Sequence, residues 1–555
     1  MGKPLRISFA DLTYTTKGLS NNTFPFGISL VASYAKKVFG DKIDVEIFHY
    51  PKNFINYLEN EVPEVICFSS FSWTLDISHE FAKKIKEKNP SVIVIFGGPN
   101  FPIEYNEKEK FLKKYSAIDF YVCGEGEKAF VELLKDLERY NFNKEKFKER
   151  EIKLGNCNYI YNGKLIDGGF FPRMENLDDI PSPYLGGYLD KFFDGVLIPI
   201  NQIARGCPFR CAYCQEGNIY FCKISRFSRD RVKQELIYIA NKIKVPNLVI
   251  ADSNFGMYEE DVEISKDVSE VKETYNWPKY IESSLGKNKD TVLETVKNFK
   301  GGVFLGAPVQ STDAQVLENI HRTNISNEKI IEITKTGEGY GGNSFSEIIL
   351  GLPGDSKNAH FKSMFDMIDL GINVVRAHQL LMLPGSEIST LEAREKYGIK
   401  TKFRLQPKCF GDYEVYGDVI HCSEIDELCV ENNTMPYEDY LKCRKLDLSV
   451  EIFYNNGIFY ELKCFLEKLG IKTSYFIEKI NEKASESLLK ELYGNFIKEN
   501  EDCLWESYDK LEEHIKGDGM IEKYIVEKLR DNEQLKYRAI AFFRRMDDLQ
   551  DRKST

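Results

Sequence analysis

The 555-residue sequence predicts an α/β protein in three parts: a doubly wound parallel sheet, then a (β/α) barrel, then an α-helical C-terminal domain. Two observations carry the first two parts. Short β-branched or aromatic runs alternate with amphipathic stretches over residues 1–140 and again over 196–395, and such alternation builds parallel strands covered by crossover helices. A third observation carries the last part: from about residue 400 the glycines thin out and the apolar pattern turns helical, which sets a domain at 396–555.

In the first block RISFADL, DVEIFHY, VICFSS, VIVIFGG and FYVCGEG read as strands, with ISLVASYAKKVFG and DISHEFAKKIKEK among the helices between them. Doubly wound sheets bind ligands at the carboxyl ends of their strands. The turn-like residues Ser69, Ser70, Gly97, Gly98 and Gly124 fall there. Residues 141–195 read as a linker. It holds a Lys/Glu-rich helix over 143–151, a hairpin NYIYNGKLI turning at Asn162-Gly163, and NLDDIPSPY, whose two prolines keep it extended.

The second block has six strand candidates: LIPINQIA, NLVIADS, KYIESS, GVFLGAPV, SFSEIILGL and NVVRAHQLLML. Helical stretches such as RDRVKQELIYIANKI separate them, so six β/α units fit an incomplete or full barrel with its chemistry at the carboxyl ends. In the last part, LKCRKLDLSVEIFYNNG and LLKELYGNFIKE read as helices. RLQPKCFGDY ahead of them reads as a loop, with Arg404, Lys408 and Tyr413 able to line the barrel mouth.

Composition narrows the partners. A net charge of −11 argues against a general nucleic-acid or anionic-membrane binder. No run of about 18 apolar residues predicts a membrane span. The start, MGKPLRISFADL, lacks the apolar core of a secretory signal and has Arg6 where a myristoylation signal places Ser or Thr, so the expected compartment is the cytoplasm. Thirteen cysteines are too sparse for a disulfide scaffold. Cys409, Cys422, Cys429 and Cys443 have long, irregular spacings and read as thiols rather than as ligands of a second cluster.

Three cysteines stand together. ARGCPFRCAYCQEG places Cys207, Cys211 and Cys214 at C-x3-C-x2-C spacing directly after the first strand candidate of the second block. Three thiolates on one compact loop can bind three irons of a [4Fe–4S] cube and leave the fourth open to a small molecule. A structural zinc site takes four ligands, and no His or second C-x2-C pair stands nearby; Cys222 lies eight residues on, in another segment. A redox dithiol would leave Cys207 unexplained.

The triplet, with Tyr213 just before its last cysteine, resembles the signature of the radical S-adenosylmethionine (SAM) superfamily. The resemblance implies that SAM chelates the open iron. One electron, from a reductase, flavodoxin or ferredoxin, then cleaves SAM to a 5′-deoxyadenosyl radical. Later segments resemble the family in order: Ser225–Ser228 with Glu235, IADSNF, GAPVQS with VLENI and His321–Asn324, IILGLPGD, and LLMLPGSE. On this resemblance Tyr213, Glu282, Gln310, Ser311 and Gly351 are candidate SAM contacts. Glu282 and Gln310 read equally well as a polar network inside the barrel, and Arg322 reads as a structural residue at a helix end.

Residues 5–135 resemble the cobalamin (B12)-binding domain often fused ahead of such a barrel, through FPFGISLVASY, CFSSFSWT, VIVIFGGPN and DFYVCGEGEKAF, followed by NLDDIPSPY. The resemblance implies cobalamin beside Ser69, Ser70, Gly97, Gly98 and Gly124. Domains that supply a lower axial ligand carry D-x-H-x-x-G after the first strand. DLTYTTKG keeps Asp11 but has Thr13 in place of the His, so either cobalt is bound without that imidazole or the domain has lost cobalamin. The whole series implies a cobalamin-dependent radical SAM methyltransferase that activates an inert carbon or phosphinate centre of a small-molecule or peptide substrate. The same architecture also fits a non-methylating cyclisation, rearrangement or oxidation, and a non-catalytic cluster or corrinoid sensor is a third reading.

Overall fold

A computed structural model describes residues 3–287, 289–303, 305–306, 309–339, 344–484, 486, 489–527, 529–530 and 533–551. Phe304, Ala307 and Pro308 of the strand candidate GVFLGAPV lie outside the described residues. The first five strands, β1 (Leu5–Ala10), β2 (Ile43–Phe48), β3 (Val65–Ser69), β4 (Ile93–Gly97) and β5 (Phe120–Val122), pair in parallel in the order β2-β1-β3-β4-β5. β3 is buried along its whole length, which is why VICFS reads as a nearly continuous apolar run. Strand order reverses between β1 and β3, and their carboxyl ends therefore splay into a crevice. β6 (Cys157–Tyr161) and β7 (Lys164–Asp167) extend the sheet as the expected hairpin. Its turn residues, Asn162 (φ 47°) and Gly163 (φ 74°), take the left-handed conformation that a two-residue turn of type I′ needs.

The next strands are β8 (Ile200–Asn201), β9 (Ala204–Arg205), β10 (Ser225–Arg226), β11 (Asn247–Phe255), β12 (Tyr280–Leu285), β13 (Leu305–Gly306), β14 (Ser344–Leu350) and β15 (Val374–Gln379). β8, β11 and β12 pair in parallel, as do β13, β14 and β15, and a bridge from Ile281 to Val303 joins the two sets. The result is an arc of six parallel strands, the incomplete barrel. Burial alternates residue by residue along β14. Ile348 packs with Val375 against Met364 and Met367 of the outer helix Lys357–Asp369, which leaves Phe345, Glu347 and Ile349 for the concave face. In β15 the same parity puts Arg376 and His378 beside them.

The expectation of helix from about residue 400 needs correction. β16 (Lys400–Val415) and β17 (Asp418–Glu431) form a long antiparallel hairpin, and the helices begin at Tyr437. RLQPKCFGDY is therefore strand and not loop; its register shifts between Leu405 and Phe410, around Pro407, where a bulge tolerates the missing N–H. The helices Tyr437–Phe453, Thr473–Lys483 and Lys490–Asp502 then pack as the helical region.

This hairpin ties the parts together. At one end Met382 N–H donates to Glu427 and Cys429 N–H to Leu380, so β17 continues the barrel sheet in antiparallel fashion. At the other end Cys409, Tyr413, Val415 and Cys422 share a core with Phe54, Phe68 and Phe81 of the first domain. Buried Glu424 accepts from the N–H groups of Asp76 (2.9 Å) and Ile77 (3.2 Å) and from the Tyr14 hydroxyl (3.0 Å). Those amides open the helix Leu75–Lys88, and unpaired helix-start amides favour a carboxylate. Burial nonetheless raises the Glu424 pKa well above the usual range, and neighbouring Asp76 raises it further. Lys516, from the C-terminal region, bonds Asp76 at 2.8 Å and supplies a balancing charge. Among the described residues no helix is long and apolar enough to cross a membrane.

Candidate functional site

The loop from Gly206 to Ser225 carries the three cysteines, and its base is closed by the antiparallel pair β9–β10. Cys207 N–H donates to Phe221 across the loop, while Cys214 N–H folds back onto Cys211. Gly206 (φ 102°) starts the loop where any Cβ would lie 2.5 Å from the Lys223 carbonyl, so only glycine fits. Cys211 is buried; Cys207 and Cys214 are partly exposed. Burial pushes the Cys207 thiol up and the Cys214 thiol up to about 11, and neighbouring sulfurs add to both shifts. A cationic iron core would relieve that penalty, because it binds thiolates. Among the described residues no three His, Cys, Asp or Glu side chains converge as for a single metal ion. A cube needs no such convergence, since each thiolate takes a different iron.

Two side chains from outside the loop reach its sulfurs. Asn254, near the carboxyl end of β11, donates to Cys207 Sγ at 3.0 Å. Arg322, just past the helix Ala314–Asn319, donates to Cys211 Sγ at 3.5 Å and to the Tyr213 hydroxyl at 3.0 Å. Arg322 thus serves the cysteine loop, where the sequence suggests only a helix end. Tyr213 also packs against the buried cluster that includes Val316, Ile320 and Leu352.

Buried Asp252 braces the approach to the loop, accepting from Ile203 N–H at 2.8 Å. Burial raises its pKa from 3.8 to about 7. A folded-state pKa above the unfolded value means that the folded protein holds the proton more tightly. Stability should therefore fall as pH rises from about 4 to about 7, at up to about 1.4 kcal/mol per pH unit. Asp252→Asn should remove this part of the pH dependence. Urea midpoints from pH 4 to 8 test it, and a difference between wild type and variant that stays constant across that range would refute it.

The candidate SAM contacts are dispersed. Glu282 is exposed on β12, beside Val249 of β11. Gln310 is buried, with φ 66° held by backbone bonds to Glu347 and Ile349. The Ser311 hydroxyl caps Asp313 N–H and lies by Ser363, so it is engaged within the fold. Gly351 (φ 91°) backs onto Cys429 of the hairpin.

The crevice between β1 and β3 opens into a cavity of about 580 Å³. Its lining includes Asp11, Ser69, Gly97, Gly98 and Gly124 from the first domain and Gln202, Arg205, Gln215, Glu216 and Ser253 from the barrel. Ser70 is not part of the lining: it lies behind Gly98, where a Cβ would come within 2.5 Å of the Ser70 carbonyl. The ion pair Arg205–Glu127 (2.6 Å) joins the two halves, and Arg173 of the linker pairs with Glu125 (2.9 Å) while donating to the Lys223 carbonyl. Buried Asp11 presents Oδ1 with no hydrogen bond among the described residues, and burial raises its pKa. Thr13 does not line the cavity; its hydroxyl donates to the Asn21 carbonyl at 2.9 Å. Sequence reasoning missed His49, whose ring nitrogens meet the carbonyls of Asp11 (2.6 Å) and Asn21 (3.1 Å), so neither nitrogen is available to a metal.

Comparison with known proteins agrees with this geometry. Residues 18–134 match the family model of the B12 binding domain, and residues 201–368 match that of the Radical SAM superfamily. The cobalamin-dependent radical SAM methyltransferase TokK of Streptomyces tokunonensis is 26% identical, over 76% of this chain and 61% of its own length. The 2-(S-pantetheinyl)-carbapenam-3-carboxylate methyltransferase of Streptantibioticus cattleyicolor is likewise 26% identical over 76% and 61%. The chain thus spans about three fifths of these relatives. Among solved structures, the cobalamin-dependent SAM radical enzyme OxsB, with aqua-cobalamin and SAM bound, superposes with a TM-score of 0.58 at 14% identity. That match covers 99% of this chain and 80% of the other and shows a shared fold.

Proposed function

We propose, from the premise that the chain belongs to the radical SAM superfamily and carries a B12-binding domain ahead of its barrel, that it is a cobalamin-dependent methyltransferase. One observation carries the reading: a single cavity runs from the crevice at Asp11, Gly97 and Gly98 to Gln215 and Glu216, directly after Cys214. Cobalamin at the switch point and SAM held beside the cysteine loop would therefore reach one space, as passing a methyl group from SAM to cobalamin would require. Cys207, Cys211 and Cys214 would hold the cluster, and Tyr213 would give SAM a packing surface. When bound, the reduced cluster supplies SAM with one electron, and cobalamin carries the methyl group. The electron comes from a flavodoxin, ferredoxin or reductase in the cytoplasm.

The chain's own residues do the rest. Ser69, Gly97 and Gly124, with Asp11 beside them, would line the place of the corrin. The concave barrel face carries Glu282, Glu347, Arg376 and His378, which suits a polar substrate. His378, 3.6 Å from Glu347, holds that carboxyl below its usual range. Arg376 lies over the Phe345 ring, 4.5 Å from its centroid, and offers its fork to an anion. One relative is named for a carboxylate substrate, and Arg376 would receive such a group here.

Anaerobic assay with dithionite tests the reading. SAM should yield 5′-deoxyadenosine and methionine, and labelled SAM should pass its methyl group to hydroxocobalamin reduced on the protein. Only S-adenosylhomocysteine, without deoxyadenosine under any reductant, would indicate ordinary methyl transfer. Deoxyadenosine without methyl loading would indicate a non-methylating radical enzyme.

A further inference from the structure

We infer that Asn254 and Arg322 set the reduction potential of the cluster by donating N–H hydrogen bonds to two of its ligand sulfurs. The inference rests on the reading of Cys207, Cys211 and Cys214 as cluster ligands and extends it to two residues of the family-like segments IADSNF and His321–Asn324 that the sequence does not tie to the sulfurs. The two donors come from separate elements, the end of β11 and the turn after the helix Ala314–Asn319, and each reaches a different sulfur. Their positions are fixed from behind. Phe255, next to Asn254, is fully buried, and Arg322 N–H donates to the Leu317 carbonyl at 2.9 Å. A second cation stands close by: Lys287 lies over the Phe209 ring, 4.0 Å from its centroid, and bonds the Thr323 carbonyl.

Reduction adds one negative charge to a cube whose thiolates already make it anionic. N–H donors and a guanidinium at the sulfurs stabilise the more negative state and so raise the potential. The physical consequence is a cluster within reach of a weaker electron donor. Neither residue need touch SAM or substrate, which makes both of them positioning and tuning residues.

The test is an EPR-monitored redox titration of the reconstituted full-length protein, with iron content measured on each sample. Asn254→Leu should lower the reduced-to-oxidised ratio at a given potential about tenfold, which is about 59 mV for one electron. Asn254→Asp should lower it further, because it replaces a donor with a negative charge; a packing role alone would not rank Asp below Leu. Arg322→Gln should act like Asn254→Leu, and Arg322→Lys should recover most of the loss. If wild type assembles no cluster, the ligand assignment falls and this inference with it. If clusters assemble and the ratios stay within twofold of wild type, the inference alone is overturned. It is overturned likewise if Arg322→Gln changes only the affinity for SAM. The two sites are independent, so a variant at one that fails to fold leaves the other to decide.

Discussion

Alanine at Cys207, Cys211 or Cys214 is expected to take bound iron from about four per chain to almost none and SAM cleavage to background. Each sulfur would bind its own iron. Cys222 is the nearest substitute by sequence, but its sulfur turns to the Asn218 carbonyl at 3.9 Å, on the short turn Ile219–Phe221. Cys222→Ala should therefore keep the cluster. So should Cys409→Ala, since that thiol is packed in the core between hairpin and first domain and burial pushes its pKa up. Iron and sulfide analysis after anaerobic reconstitution, with the visible absorption band, reads all five variants. Retention of the cluster by any of the three triplet variants would remove that cysteine from the ligand set.

The parts of the fold that could be read from sequence are those where one physical pattern dominates. β3 is buried on both faces and β14 on one, so the first reads as an unbroken apolar run and the second as alternation. The cysteine spacing is legible for a similar reason, because a single loop carries all three sulfurs. The hairpin β16–β17 escaped because it obeys neither pattern. Its strands of 16 and 14 residues are longer than most, Pro407 interrupts the first, and the cover changes along each: β16 packs on C-terminal helices and then on the first domain, β17 on the first domain and then on the barrel. Its turn, Tyr416 (φ 54°) and Gly417 (φ 87°), has the type I′ conformation without the usual Asn or Asp as a signal.

The site shows the same division. Gly97, Gly98 and Ser69 could be placed by the rule for strand ends, whereas Asn254 and Arg322 could not be joined to cysteines 47 and 111 residues away without the fold. Thr13 illustrates the limit of a motif read by position. The missing imidazole is real, yet the threonine that replaces it is packed against the Asn21 carbonyl and does not face the ligand space. Thr13→His would accordingly disturb a buried turn rather than create an axial ligand.

Gly27→Trp is expected to lower cobalamin affinity at least 100-fold while leaving the cluster and uncoupled SAM cleavage intact. Gly27 lines the cavity from the first turn of the helix Phe26–Phe39, and a Cβ there would meet nothing within 4 Å. An indole at that point enters space a corrin would need without forcing backbone to move. The neighbouring glycines are poorer probes. A side chain at Gly98 (φ 138°) would strike the Ser70 carbonyl, and one at Gly124 would come within 2.9 Å of the Tyr220 ring, so loss of binding there could reflect a damaged fold. Gly27→Ala provides the control: it should bind cobalamin normally and gain up to about 1 kcal/mol of stability, because alanine suits a helix better than glycine. With His49 held between two carbonyls and Thr13 turned away, cobalamin on wild type should show no spectral sign of a protein imidazole. Equilibrium dialysis with hydroxocobalamin decides the matter. Equal affinity in wild type and Gly27→Trp would mean that cobalamin binds elsewhere, and the shared cavity would lose its place in the mechanism.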